Sequence, residues 1–167
     1  VKSLENSSPE FLFGYDAIHL MNTIYTDEGF SIFYDIKRWV ADFDKEEELT
    51  DRQGRQLFLP RKEMIKAFLE HVIEKAKDRF KCTIPDIHLS CPVKQKYLFS
   101  KLITDILPGY EISLNETLEE GVTVLYNTIS EKIQKGNFKN GRPQKALIID
   151  CGGGTTDLCS CTYTSQD

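Results

Sequence analysis

Between Asp86 and Asp150 the hydrophobic period switches repeatedly between two and about 3.6, and this alternation constrains the fold more than any other feature. Asp86-Ile-His-Leu-Ser-Cys91 reads as a strand stopped by Pro92, a residue that cannot donate to a ladder. Val93 to Leu107 carries Leu98, Leu102 and Ile106 at helical spacing and ends at Pro108-Gly109. Tyr110-Glu-Ile-Ser-Leu114 reads as a second strand. Asn115 is a good N-cap, and Leu118, Val122, Leu125, Ile129 and Ile133 mark a second helix. A polar connection from Lys135 to Gln144 then leads to a third strand, Lys145–Asp150. Strand–helix–strand–helix–strand predicts a parallel βαβαβ layer. Thr156–Tyr163 resumes after too few residues for a crossover, so it must return antiparallel. The expectation is an α/β protein with a mixed sheet.

Upstream, Phe11-Leu-Phe13 looks strand-like and leads through Gly14-Tyr-Asp-Ala17 into a short apolar segment reaching Met21. Phe30 to Val40 is aromatic-rich, and an acidic stretch follows from Asp42 to Asp51. Gly54 offers a turn, so residues 41–59 read as a loop and hairpin with a solvated acidic face. Pro60 fits the first turn of a long helix over 60–80. Its stripe is Met64, Phe68, Leu69, Val72, Ile73, Ala76 and Phe80, while Glu70, Glu74 and Asp78 line a solvent face. The expected division is an N-terminal α/β subdomain over 1–80, a βαβα part over 81–144, and a hairpin over 145–167.

Composition excludes some classes. The 167 residues carry a formal charge of −5, which argues against general affinity for nucleic acid. No apolar run approaches the roughly 18 residues a membrane helix needs. Five cysteines without metal-type spacing fit neither a disulfide framework nor a zinc site, and a reducing cytoplasm is the expected home. Because the chain starts at Val1 and ends just after a strand, we expect an excerpt of a longer protein.

The segment that carries chemistry is Leu147-Ile-Ile-Asp150-Cys-Gly152-Gly153-Gly154-Thr155-Thr156-Asp157-Leu158. Three glycines strip every Cβ from a tight turn, letting backbone N–H groups approach one anion. Thr155 and Thr156 add hydroxyls, and Asp150 and Asp157 bracket the turn. Carboxylates at strand ends need a cation, a donor or water, and phosphates with a bound Mg²⁺ supply such partners. Gly-Gly-Gly alone would be an ordinary hairpin turn. The whole run is more specific, and it is not a Walker loop, since neither Lys nor a helix follows the glycines.

This run resembles the second phosphate-binding motif of the actin/Hsp70/sugar-kinase ATPase superfamily, whose lobes are ribonuclease H-like. Gly14-Tyr-Asp-Ala17, Ile36-Lys-Arg-Trp39, helix 60–80, Ile87-His-Leu-Ser-Cys-Pro92 and Leu114-Asn115-Glu116-Thr117 resemble, in order, stretches of Hsp70-like chaperones. The resemblance implies part of an actin-like ATPase domain that binds ATP or ADP with Mg²⁺. Asp150 would meet the metal through its water shell and orient the attacking water. Gly152, Gly153, Gly154 and Thr155, with Thr156 beside them, would hold phosphates. Asp157 would sit beside them, near a water or monovalent cation. Glu116 would lie opposite as a further carboxylate, although its residue type also suits the first turn of a helix. Through the whole protein, unfolded polypeptide clients and co-chaperones are the implied partners, with no role for nucleic acid or membrane.

Two departures bear on activity. The family's catalytic lysine falls near Ile18, and neither Ile18 nor His19 can replace a permanent ammonium. Thr156 stands where chaperones usually have Phe, which leans toward an actin-like filament protein or a kinase of the same superfamily. A non-catalytic interaction module that kept the fold is the alternative from another class.

Overall fold

The acidic strand at residues 46–50 forms a hairpin because the turn after it is built around one carboxylate. A computed structural model of the chain describes all residues except 6–7, 24–28, 92–94, 114–117, 137–140, 153–155 and 165–167, with backbone only at 118–120. In it β1 (Glu46–Thr50) pairs antiparallel with β2 (Gln56–Pro60), Leu49 facing Leu57. Asp51 accepts from the backbone N–H groups of Gln53, Arg55 and Leu4, each at 3.0 Å, and from Arg55 Nε at 2.6 Å. Gly54 takes φ +74°, the left-handed conformation this turn requires. Burial would push the Asp51 carboxyl up. The Arg55 side chain and the three backbone donors outweigh it and hold the carboxyl below its ordinary value of 3.8.

Pro60 ends β2 and caps α2 (Arg61–Phe80) without a side-chain hydrogen bond. The first helical N–H groups need acceptors, and the preceding segment supplies them: Arg61 N donates to Lys45 O at 2.9 Å and Lys62 N to Phe43 O at 2.8 Å. The Arg61 guanidinium lies 5.1 Å from the Trp39 ring centre and donates through Nε to Glu47 at 2.8 Å. Met64, Ile65 and Ile73 are the buried residues of α2. Val72 and Phe80, expected in its apolar stripe, are instead exposed, while Glu70, Glu74 and Asp78 face solvent as expected.

Phe11-Leu-Phe13 is not a strand. Phe13 stacks its ring near Phe11, Phe68 and His71 at 5.9, 5.6 and 4.9 Å, so the segment is held by ring contacts and has no ladder. It runs into α1 (Gly14–Thr23), and a 3-10 helix covers Ile36–Asp42.

The chain divides into two compact units, residues 1–85 with 102–109, and residues 86–101 with 110–167. The first has a closed core: Leu4, Leu49 and Met64 cluster, with Phe11, Phe33, Trp39, Leu57 and Leu59 packed against them. Leu102, Ile103, Ile106 and Leu107, from the end of α3 (Lys96–Ile106) and just beyond it, are buried residues of the same unit.

In the second unit the expected strand 86–91 is split. β3 (Asp86–Ile87) pairs in parallel with β5 (Glu111–Ile112), and β4 (Ser90–Cys91) pairs in parallel with β6 (Leu118–Glu119). The two halves take different partners, which is why the ladder breaks at His88-Leu89. Leu118, expected in a helix, belongs to β6, and α4 starts later, at Glu120, and runs to Gln134. The expected cap Asn115 lies outside the described residues. β7 (Gln144–Cys151) and β8 (Thr156–Tyr163) form an antiparallel hairpin. The expected continuous βαβαβ layer is not formed among the described residues: β7 pairs only with β8, and the parallel ladders are two residues long. The protein is mixed α/β with small parallel and antiparallel sheets. Among the described residues, no helix is long and apolar enough to cross a membrane.

Candidate functional site

The alternating sequence of β7 and β8 sorts their side chains onto two faces. Ala146, Ile148 and Asp150 share a half-buried face with Asp157, Cys159 and Cys161, while Leu147, Ile149, Thr156 and Leu158 are exposed on the other. The register sets Asp150 directly opposite Asp157, and Cys151 opposite Thr156 closes the ladder. Directly opposed residues of an antiparallel pair have Cβ atoms about 4.5–5.5 Å apart, so the two carboxylates confront each other. Among the described residues neither has a hydrogen-bond donor or a cation bonded to it. Like charges set face to face are unfavourable, and a cation between them relieves that.

α4 lies on the half-buried face of the hairpin. Near its end Lys132 Nζ donates to Tyr163 Oη at 3.4 Å, and near its start Gly121 approaches Cys159 so closely that an added Cβ would stand 2.6 Å from the Cys159 Cβ. The helix therefore starts beside Cys159, two residues along β8 from Asp157, and runs away from the carboxylate pair. The unsatisfied N–H groups of a first turn carry partial positive charge, which suits anions gathered at this end of the hairpin.

Asp150 and Asp157 are thus brought together by strand register. Gly152 follows β7 directly and is exposed. Thr156 begins β8 on the face opposite the two aspartates, so the two-residue period separates its hydroxyl from their carboxylates. Gly153, Gly154, Thr155 and Glu116 lie outside the described residues. Ile18 belongs to α1 of the first unit and is half exposed.

A divalent metal fits this donor set in one way only. No group of three or more His, Cys, Asp or Glu side chains gathers to hold a metal among the described residues. Two carboxylates with water and phosphate oxygens completing the shell match Mg²⁺, which keeps several waters and rarely relies on an all-protein cage.

The reading of the sequence missed Gly121. An isolated glycine inside a helical pattern was the available signal, because such a residue often marks a close approach. It also missed the exposed apolar face, since alternation alone does not say whether a second layer covers it. Compared with profiles of known protein families the sequence matches none, and it has no significant match among curated proteins.

Proposed function

We propose that the chain is part of the ATP-binding domain of an Hsp70-like chaperone, a member of the actin/Hsp70/sugar-kinase ATPases. The observation that supports this most is the facing pair Asp150 and Asp157, without a partner among the described residues, on the two strands that flank the Gly-Gly-Gly run and beside the start of α4. Backbone N–H groups of Gly152 to Thr155 would hold the β- and γ-phosphates, with the Thr156 hydroxyl at the edge of the turn. Asp150 would orient water in the Mg²⁺ shell toward the γ-phosphorus, Asp157 would hold a water or monovalent cation beside the phosphates, and Glu116 would position water from the other side. Bound Mg²⁺ neutralises charge on the transferring phosphoryl group.

In a longer protein, ATP hydrolysis would drive a conformational cycle on unfolded polypeptide clients with co-chaperones. A cytoplasmic setting agrees with five cysteines that form no disulfide with one another, of which Cys82 and Cys151 are exposed. The non-catalytic module is the second reading, favoured by Ile18 near the position of the family's lysine.

Calorimetric titration with Mg·ATP tests the proposal. The chain should release heat of binding that Asp157→Asn abolishes, with no measurable turnover by the 167-residue chain itself. Absence of binding by the unaltered chain, or undiminished binding by the variant, overturns the nucleotide site. Turnover that Asp150→Asn abolishes would overturn the expectation that this chain alone does not hydrolyse ATP.

A further inference from the structure

The first unit holds a cavity of about 250 Å³, walled by the aromatic rings of Phe11, Phe13, Phe30, Phe33, Trp39 and Phe68. α1 has no fully buried residue, and its three half-buried side chains, Ala17, Leu20 and Met21, all face this cavity. Their i, i+3, i+4 spacing is the apolar stripe of an amphipathic helix, and a ten-residue helix is too short to persist in water without burying such a stripe. The polar groups of the wall are largely committed elsewhere. The Val1 ammonium donates to Ser31 O at 2.8 Å, Lys2 pairs with Glu10, and Ser31 Oγ accepts from Thr50 N at 2.8 Å. The Asp35 carboxylate belongs to an exposed residue.

We propose that this cavity is a binding site for an uncharged aromatic molecule of about two fused rings, separate from the nucleotide reading above. Size and chemistry both select that class. A dry apolar cavity of about 150 Å³ accepts benzene, so one of about 250 Å³ has room for a second ring. Six aromatic side chains offer edges and faces to a flat guest, and a charged guest would lose its hydration against this largely apolar wall. Occupancy would complete the burial of Ala17, Leu20 and Met21 and so stabilise α1.

The chain contains two methionines, Met21 and Met64, and both line the cavity, so methyl-¹³C methionine labelling reports on this site alone. Titration with naphthalene should shift both methyl resonances saturably, and n-hexane should bind more weakly. Ala17→Phe, which puts a ring into the cavity, should weaken naphthalene binding by at least roughly tenfold. Should that variant lose its helical circular dichroism, 5-fluorotryptophan at Trp39, the single tryptophan, gives an independent reading on the unaltered chain. Leu147→Lys with Leu158→Lys, on the exposed hairpin face, should leave the titration unchanged. Shifts that never saturate, equal affinity for n-hexane, or binding lost in the hairpin variant would each overturn the proposal.

Discussion

Two hairpins of this protein use carboxylates in opposite ways. In β1–β2, Asp51 is 1% exposed and every bond it makes belongs to the fold: its own turn, Arg55, and the distant Leu4. In β7–β8, Asp150 and Asp157 face each other with no partner among the described residues. The apolar residues differ in the same direction, Leu49 being 0% exposed and Leu158 70%. The carboxylate of one hairpin helps close a core, and the two of the other stay half-buried and unsatisfied among the described residues. A strand-end aspartate is therefore diagnostic of function only after its donors have been counted.

The largest expected effect tests the cores. Leu49→Ala should cost about 2–5 kcal/mol in denaturant unfolding followed by Trp39 fluorescence. Leu158→Ala should stay within about 0.5 kcal/mol, read by hydrogen exchange of β8 amides. Equal losses would erase the contrast between the hairpins.

Next comes acid. Asp51 binds its proton less readily in the folded chain than in the unfolded one, because the carboxyl is held below 3.8. Its stabilisation is therefore whole above that value and is lost as pH falls through the lowered folded value. Unfolding free energy measured down that range should decline in the unaltered chain and flatten in Asp51→Asn, which should also be less stable at neutral pH. An unchanged acid limb in the variant would show that another carboxylate carries it.

Gly121→Ala should destabilise the second unit by about 1–3 kcal/mol, since a Cβ at 2.6 Å from that of Cys159 forces α4 off the hairpin. Helix propensity alone favours alanine, so a neutral result would mean that the close approach is not maintained. The smallest effect has the opposite sign. Asp157→Asn should raise stability by about 0.2–1 kcal/mol without ligand, by removing one of two opposed charges. The same substitution loses Mg·ATP, whereas Asp51→Asn should lower stability and leave nucleotide binding intact.

Much of this was legible in the chain. Gly54 between two short runs marked the first hairpin, and helical spacing marked α2, α3 and α4. Asp150 and Asp157 sit equally far from the centre of the glycine turn, so their pairing follows from symmetric strands once the turn is recognised. Three features escaped for physical reasons. Phe11-Leu-Phe13 has strand composition, but its rings find Phe68 and His71 before its backbone finds a ladder. Leu118 fits a helical period, yet its backbone pairs with Ser90, a choice made by tertiary contact. The start of α4 beside Cys159 depends on what Gly121 lacks, and a missing side chain leaves no periodic trace.

The first unit closes with residues 102–109, which the chain reaches only after passing through residues 86–101 of the second. A nascent chain ending at Pro85 lacks Leu102, Ile103, Ile106 and Leu107, four of the residues buried in that unit. During synthesis that unit cannot be completed until α3 has left the ribosome, so the N-terminal half of this chain must wait for its last buried residues. Cleavage or truncation between the units would likewise not release an intact first one.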